Sequence, residues 1–459
     1  MPPVFKPCNS EDPALYFFVS QWDGRAFMTA ADRIADLSLI WKQAATVFPY
    51  FDRLALNWDE KYREYIPKAT AAENDRDFYL ILAEFLNLLG DGHTCCVFPE
   101  SLVKETGYLP FGLKFVRGDY YLSSVTPGSE KYLFSKVLGI NGKPFGEILS
   151  EAFRYIYHVG DYAHSNRLDR ILPFLLKPSE NVMETEAGIY RFDLEKSKPK
   201  LAGGKPMTVS MPYEDVSQGR LDMRLYENGV LYVKLGSFLY SEAAKEIAAA
   251  LSAGLKGVIL DLRDNMGGMT LYGAKVAELF ISGEFGACKK RRRTIDGADV
   301  SAASQILAAS EERRKRDIEN GLYDREEVER CRKIAAYSYF KEYEDRFGEP
   351  GHSAPYGGLC VLLTSRDTLS AAEDFTAMFR TNGRAKIIGT PTHGSTGTPL
   401  IQPLSSGGSA RICAVGYELA DGTDFIGKGI SPDVFAEPSA EDFISGRDTV
   451  LEFALENFD

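Results

Sequence analysis

Apolar side chains recur at helical spacing through the first hundred residues. Between residues 34 and 48 they return every three or four positions, and residues 74–89 show the same period with Gly90 as a stop. This period puts the apolar residues on one face of an amphipathic helix. A short strand is predicted after the turn, over residues 94–98. The segment 1–101 is therefore predicted to be a helical N-terminal domain.

The pattern of the next hundred residues changes to short apolar runs separated by turn residues. Residues 120–125 and 136–140 are predicted strands, and the pair Asn141-Gly142 is a strong turn signal. The pattern predicts a separate β-rich domain over residues 102–220.

The remainder of the chain alternates between strands and helices. An apolar strand at 257–262 precedes a glycine turn and a helix at 271–281, and a strand at 359–364 precedes a helix that begins near Ser370. Continuous apolar strands of this kind lie in parallel sheets that helices cover on both faces. The segment 221–459 is therefore predicted to be an α/β core.

Residues 284–350 interrupt this alternation with a basic run at 288–293 and two charged helical segments at 299–320 and 324–344. The stretch 311–333 holds eight acidic and eight basic residues, which is typical of solvated helices with i,i+4 ion pairs. We predict a helical insertion in the core, with a lid or a subunit contact as the alternative. Because acidic residues follow the basic run at once, it does not indicate nucleic-acid binding.

The composition is that of a globular protein, with 459 residues, 44% hydrophobic and 26% charged. The net charge of −12 disfavours non-specific binding to nucleic acids and anionic membranes. No apolar run is long enough for a membrane span. The N-terminus has no basic region and only a short apolar stretch at 14–19, which predicts a cytoplasmic location, or export if a leader has been removed. Whether the chain forms a homo-oligomer is left open.

Three segments carry residues suited to acyl-transfer chemistry. Residues 91–94 (DGHT) place His93, a natural general base near neutral pH, in a glycine turn. Residues 260–268 (LDLRDNMGG) end a strand in paired glycines, whose amides suit an oxyanion hole. In residues 368–375 (TLSAAEDF), Ser370 follows a strand and can act as a nucleophile. Each segment also has a purely structural interpretation. These are a structural histidine for residues 91–94, an ordinary strand-to-helix turn for 260–268 and a Ser-x-x-Glu capping box for 368–375.

Taken together and in this order, the segments resemble a known family. DGHT (91–94), LDLRDNMGG, LSAAEDF, IIGTPTHGSTG (387–397) and DGTDFIGKGISPDV (421–434) resemble the C-terminal processing (tail-specific) serine peptidases. That family includes the tricorn core protease and the interphotoreceptor retinoid-binding proteins. The resemblance covers residues 31–434 and implies an α/β fold with a crotonase-like catalytic core, a helical N-terminal domain and a degenerate PDZ-like domain at 102–220. Such a module receives an extended peptide end by strand addition.

The resemblance also implies roles for single residues. Ser370 matches the nucleophile, and Gly268 and Ala371 match the residues whose amides form the oxyanion hole. Ser395 stands where the Ser–Lys branch has its lysine, so that dyad is absent. His93 matches the histidine that the tricorn-like branch uses as its base, which implies a Ser370–His93 pair.

The group that orients the imidazole is left open. The tricorn-like pattern has a serine before the histidine, where this chain has Gly92, and a late glutamate, where this chain reads DFIG at 424–427. Glu373 is the first candidate for the orienting group, and Asp424 is a weaker one. His393 in the glycine-rich segment is a rival for the role of the base.

The resemblance implies a serine endopeptidase that hydrolyses peptides or unfolded protein tails through an acyl-enzyme, without a metal or an organic cofactor. One alternative is a non-catalytic binding protein for apolar ligands or peptides, as the retinoid-binding relatives are. Another is a PDZ-like scaffold with an inactive core. Both the nucleophile and the base are present in the chain, which favours the enzyme.

Overall fold

The structure is a computed structural model that describes residues 28–203, 207–252, 254–293, 295 and 297–458. The stretch at 14–19, on which the expectation of no signal peptide rests, lies outside these residues. The helices are α1 (Ala30–Val47), α2 (Trp58–Ala71), α3 (Asp75–Asn87), α4 (Glu100–Thr106), α5 (Phe145–Ala152), α6 (Ser165–Leu175), α7 (Ala243–Ala250), α8 (Thr270–Ala277), α9 (Gly297–Ala308), α10 (Glu311–Glu319), α11 (Arg325–Ala335), α12 (Ala371–Thr381), α13 (Ala440–Ser445) and α14 (Thr449–Glu456).

Strands make up most of the remaining regular structure. They are β1 (Cys95–Val97), β2 (Phe111–Val116), β3 (Asp119–Val125), β4 (Val137–Ile140), β5 (Lys143–Pro144), β6 (Asn181–Thr185), β7 (Gly188–Phe192), β8 (Ala202–Gly203), β9 (Tyr213–Asp215), β10 (Asp222–Tyr226), β11 (Val230–Lys234), β12 (Gly257–Asp261), β13 (Phe285–Arg292), β14 (Lys341–Phe347), β15 (Leu359–Thr364), β16 (Lys386–Gly389), β17 (Pro399–Pro403), β18 (Ser409–Cys413), β19 (Gly416–Leu419) and β20 (Val434–Phe435).

Capping residues fix where the N-terminal helices begin. Thr29 and Asp32 form a capping box at α1, and the Asn74 side chain accepts a hydrogen bond from the Asp77 amide at α3. These caps satisfy amides of the first turn that have no partner within the helix. A short connection, residues 88–94, joins helix α3 to β1, and β1 pairs antiparallel with β18. The N-terminal helices are thereby joined to a strand from the far end of the chain.

Two smaller sheets follow, with strand orders β2-β3-β8 and β5-β4-β6-β7. Helices α5 and α6 pack against them around a common core, in which Phe111, Leu122, Leu168 and Leu172 are fully buried. The edge strand β2 reaches the C-terminal half of the chain, because the Lys114 ammonium lies 2.6 Å from the Asp367 carboxylate.

A seven-stranded sheet forms the centre of the C-terminal half, in the order β20-β16-β15-β12-β11-β10-β9. Strands β11, β12, β15, β16 and β20 are parallel neighbours, whereas β9 and β10 are antiparallel additions. Every residue of β12 is buried, because α7, α8 and α12 cover one face of the sheet and α14 covers the other. The predicted α/β class is confirmed, while the three domain boundaries stay a prediction.

The predicted insertion at 284–350 contains helices, but the second charged helix does not extend to residue 344 as predicted. Helices α9, α10 and α11 are present, but Lys341–Phe347 is strand β14, and it pairs with β13 in a sheet of order β14-β13-β19. The charged side chains of β14 are mostly exposed, so the sequence shows little apolar alternation. Tertiary pairing, and not local pattern, decides the structure of this stretch.

None of the helices in the described part of the chain combines the length and apolar character that crossing a bilayer requires. Within the same residues, no group of three or more histidine, cysteine, aspartate or glutamate side chains is arranged to hold a metal ion.

Candidate active site

A tight turn between α3 and β1 carries His93. One Asp91 carboxylate oxygen accepts hydrogen bonds from the His93 amide and from the Thr94 hydroxyl, both at 2.9 Å. The Thr94 hydroxyl in turn accepts a bond from the Cys413 amide of β18. The backbone on both sides of His93 is therefore held, and its imidazole projects half-buried from the turn.

Ser370 lies between β15 and α12, at the carboxyl edge of the central sheet. Its backbone angles are φ 59° and ψ −129°, a region that non-glycine residues rarely adopt. Its side chain makes no capping hydrogen bond to α12, so the capping-box alternative is wrong. The backbone is fixed by its neighbours, since the Ser370 amide donates to the Ser395 carbonyl at 2.9 Å. Strain held in this way presents the hydroxyl away from the helix.

The structure brings Ser370 and His93 together, although 277 positions separate them. The Ser370 Oγ atom lies 3.0 Å from His93 Nε2, which is hydrogen-bond distance. The pairing of β1 with β18 places the histidine turn beside the carboxyl edge of the sheet. Both residues are half-buried, and a hydroxyl in contact with an imidazole is the arrangement that acyl transfer by a serine nucleophile uses.

Two backbone amides next to Ser370 have no acceptor in the described part of the chain. They belong to Gly268 and to Ala371, the first residue of α12. Phe238 bonds to the backbone on either side of Gly268, to Gly267 and to Met269, and so holds this turn in place. A Cβ atom on Gly267 would lie 2.7 Å from the Ser370 Cβ, so only glycine allows this approach. The free amides suit an oxyanion.

The second imidazole nitrogen of His93 contacts a residue that the sequence-based assignment left without a role. The Nδ1 atom lies 2.7 Å from the Ser395 hydroxyl. Glu373, the first candidate for this position, does not contact the imidazole. Its carboxylate accepts hydrogen bonds from the Ser395 and Gly394 amides at 2.7 Å and from the Thr392 hydroxyl at 2.5 Å. Glu373 therefore holds the loop that carries Ser395.

The remaining two candidates lie elsewhere. Asp424 forms an ion pair with Arg53 at 2.8 Å, away from the imidazole of His93. His393 is buried among aromatic rings, and its Nδ1 atom lies 3.1 Å from the Arg366 carbonyl. Its Nε2 atom finds no partner among the described residues, and no contact joins it to Ser370. The structure thus separates both residues from the nucleophile.

Burial shifts the protonation of the site. It lowers the pKa of His93 to about 3, and the positive charges of Arg411 and Arg167 lower it further in the same direction. Burial also raises the pKa of Glu373 to about 7, against the opposing effect of its three hydrogen bonds. His93 is therefore neutral near pH 7, the form that can accept a proton from Ser370.

Comparison with known proteins gives the same family as the sequence motifs. Residues 229–436 match the model of peptidase family S41. A carboxy-terminal-processing protease of Bartonella bacilliformis is 23% identical over 54% of this chain and 48% of its own length. A chloroplastic C-terminal processing peptidase of Tetradesmus obliquus is 25% identical over 45% of this chain and 35% of its own. The chain thus spans about half or less of these relatives.

The fold extends this similarity to nearly the whole chain. The crystal structure of mature CPAF superposes with a TM-score of 0.68 at 15% identity, covering 94% of this chain and 96% of that one. At this identity the match concerns the fold alone. The match to the family model includes Gly268, Ser370 and Ser395, whereas His93 lies outside it. Over residues 229–436, which are 208 of its 459 residues, the chain is therefore similar to peptidase family S41.

Proposed function

We propose that the chain is a serine peptidase that hydrolyses peptide bonds through an acyl-enzyme on Ser370, with His93 as the general base. The observation that carries this proposal is the 3.0 Å contact between Ser370 Oγ and His93 Nε2, beside the two free amides. A histidine base at this position is also what the resemblance to the tricorn-like branch implies.

The proposed reaction begins with neutral His93. Its Nε2 atom takes the Ser370 hydroxyl proton while Oγ attacks the carbonyl carbon of the scissile bond. The oxygen that becomes negative accepts hydrogen bonds from the Gly268 and Ala371 amides. The C–N bond then breaks as Nε2 returns the proton to the leaving amine. A water molecule, activated by the same nitrogen, hydrolyses the ester and restores Ser370.

Peptides and unfolded tails are the proposed substrates because the surface beside the oxyanion amides is apolar. Met266, Met269 and Leu271 follow one another along the glycine turn and are 44%, 53% and 55% exposed. Exposed apolar side chains next to a reactive centre are typical of a binding surface. Unfolded segments offer the apolar side chains that fit this surface, whereas folded proteins bury most of theirs.

A fluorophosphonate probe tests the proposal, because it reacts with an activated serine. We expect the folded chain to be labelled at Ser370, and we expect Ser370→Ala and His93→Gln to abolish or strongly slow labelling. His393→Gln is the matched control, a change of another buried histidine that should leave labelling nearly unaltered. Circular dichroism establishes that each variant is folded. A folded wild-type chain that shows no labelling at Ser370 would overturn the proposal and favour a binding protein.

A further inference from the structure

We propose that Ser395 is the positioning residue for His93, and that it takes the place of the orienting acid or serine of related sites. The proposal rests on the function proposed above, and it concerns the residue that decides which imidazole nitrogen carries the proton. The contact that suggests it is the 2.7 Å distance between Ser395 Oγ and His93 Nδ1.

Ser395 contacts His93, Ser370 and Glu373 through three different groups. Its hydroxyl contacts the base, and its carbonyl accepts the Ser370 amide at 2.9 Å. Its own amide donates to Glu373 at 2.7 Å. The residue is fully buried, so three backbone and side-chain bonds fix its hydroxyl without competition from water. Ser395 therefore positions both the His93 imidazole, through its hydroxyl, and the Ser370 backbone, through its carbonyl.

Gly92 allows this arrangement. A Cβ atom at position 92 would lie 2.3 Å from Ser395 Oγ and 2.6 Å from its Cβ, closer than any non-bonded contact permits. A serine at position 92 and a serine at position 395 therefore exclude each other. The chain departs from the family patterns at two positions, glycine at 92 and serine at 395. We interpret them as one exchange: the hydroxyl next to Nδ1 comes from Ser395 instead of from a serine at position 92.

The chemistry requires one direction for the hydrogen bond. Nε2 can accept the proton of Ser370 only if Nδ1 carries the hydrogen of the neutral ring. Nδ1–H then donates to Ser395 Oγ, which accepts with a lone pair and keeps its own proton. When His93 becomes an imidazolium, the same bond stabilises the added charge. No proton moves to or from Ser395 at any step, so its role is to orient and not to transfer.

Ser395→Ala removes the acceptor and leaves the loop backbone in place. We expect labelling at Ser370 to slow by about 10- to 100-fold, which is less than the roughly 10²- to 10⁴-fold that a general base contributes, because the base itself is still present. Thr396→Val is the matched control, because Thr396 is a buried hydroxyl of the same loop that bonds to Asp374 and not to His93. That variant should label at nearly the wild-type rate even if it is less stable.

The imidazole nitrogen shifts of His93, measured by nuclear magnetic resonance in the Ser370→Ala background, report the tautomer without any activity. We expect the Nδ1–H form with Ser395 present and a larger fraction of the Nε2–H form with Ser395→Ala. A merely structural role for Ser395 would leave the tautomer unchanged. Identical tautomers and labelling rates within threefold of wild type would overturn the proposal. Absent labelling of the wild type would instead overturn the proposed function.

A double variant tests whether a hydroxyl supplied from position 92 can replace the hydroxyl of Ser395. Gly92→Ser combined with Ser395→Gly returns a hydroxyl from the other loop while removing the atoms that collide. We expect it to label faster than Ser395→Gly alone and to restore the Nδ1–H signal. Gly92→Ser on its own should be worse than wild type. A double variant no better than Ser395→Gly would count against the exchange.

Discussion

Replacing the buried Glu373 carboxylate by an amide tests both the electrostatics and the architecture of the site. The pKa of Glu373 is raised to about 7 in the folded chain, from an ordinary value near 4.5, chiefly by burial. The folded state therefore holds this proton more tightly than the unfolded state does. Glu373 adds stability as the pH falls from 7 towards 4.5 and loses that contribution above pH 7.

The size of the effect follows from the two pKa values. Between about pH 8 and pH 5, Glu373 should contribute about 2 to 3 kcal/mol to the pH dependence of the unfolding free energy. Glu373→Gln cannot titrate, so this contribution should vanish. In addition, the glutamine side-chain oxygen can accept the hydrogen bonds from Thr392 and Gly394 only if its NH2 group faces the Ser395 amide. Two N–H groups then face each other, and the hydrogen bond to Ser395 is lost. Labelling at Ser370 should therefore slow while the fold persists.

Urea unfolding of the wild type and of Glu373→Gln, followed by circular dichroism at both pH values, measures the difference. Glu184→Gln serves as the control, because Glu184 is an exposed carboxylate on β6. It should show the wild-type pH dependence. If Glu373→Gln also retained the wild-type dependence, or increased it, the assignment of a proton to Glu373 near pH 7 would be refuted.

Three further predictions concern the glycine turn, the base and the junction with β2. Gly267→Ala should abolish labelling, because the new Cβ would lie 2.7 Å from the Ser370 Cβ at a φ of +96°. Gly283→Ala, at a φ of +72° with nothing within 4 Å, should leave labelling intact and lower the free energy of unfolding in urea by only about 1 to 2 kcal/mol. His93→Gln should make the chain less sensitive to acid, because the lowered pKa of about 3 means that wild-type stability is lost as the pH falls below 6.5. At pH 5 the wild type should have lost about 2 kcal/mol of unfolding free energy through His93, a loss that the variant should not show in urea unfolding. Lys114→Met breaks the ion pair to Asp367 in the loop before the nucleophile, so steady-state peptide hydrolysis should show a severalfold lower kcat with little change in KM.

Local pattern was sufficient for the elements that bury a continuous or periodic apolar face. Strand β15 has the predicted bounds, and β12 and α3 differ from prediction only at their ends. Strand β14 could not be predicted in the same way, because its side chains are charged and it exists only through pairing with β13. Its structure depends on pairing with residues 49 to 62 positions away along the chain, which no local period encodes.

The site shows the same division. Motif order was enough to select Ser370 and His93, which the structure brings into contact, together with Gly268 and Ala371, the residues proposed for the oxyanion hole. The partner of Nδ1 could not be selected from one position at a time. Two residues indicated it jointly, because glycine at 92 and serine at 395 both differ from the family patterns. Their connection is visible only in the structure, where a Cβ atom on residue 92 would collide with the Ser395 side chain.

The proposed base, His93, lies outside the residues that match the S41 family model, and this has a consequence for synthesis of the chain. A ribosome makes His93 277 residues before Ser370, and β18, the strand that brings the histidine turn to the sheet, is made later still. An incomplete chain therefore lacks a base in contact with its nucleophile. On the proposed mechanism, cleavage therefore requires β18 to have been made and paired with β1, so a chain that ends before residue 409 is inactive.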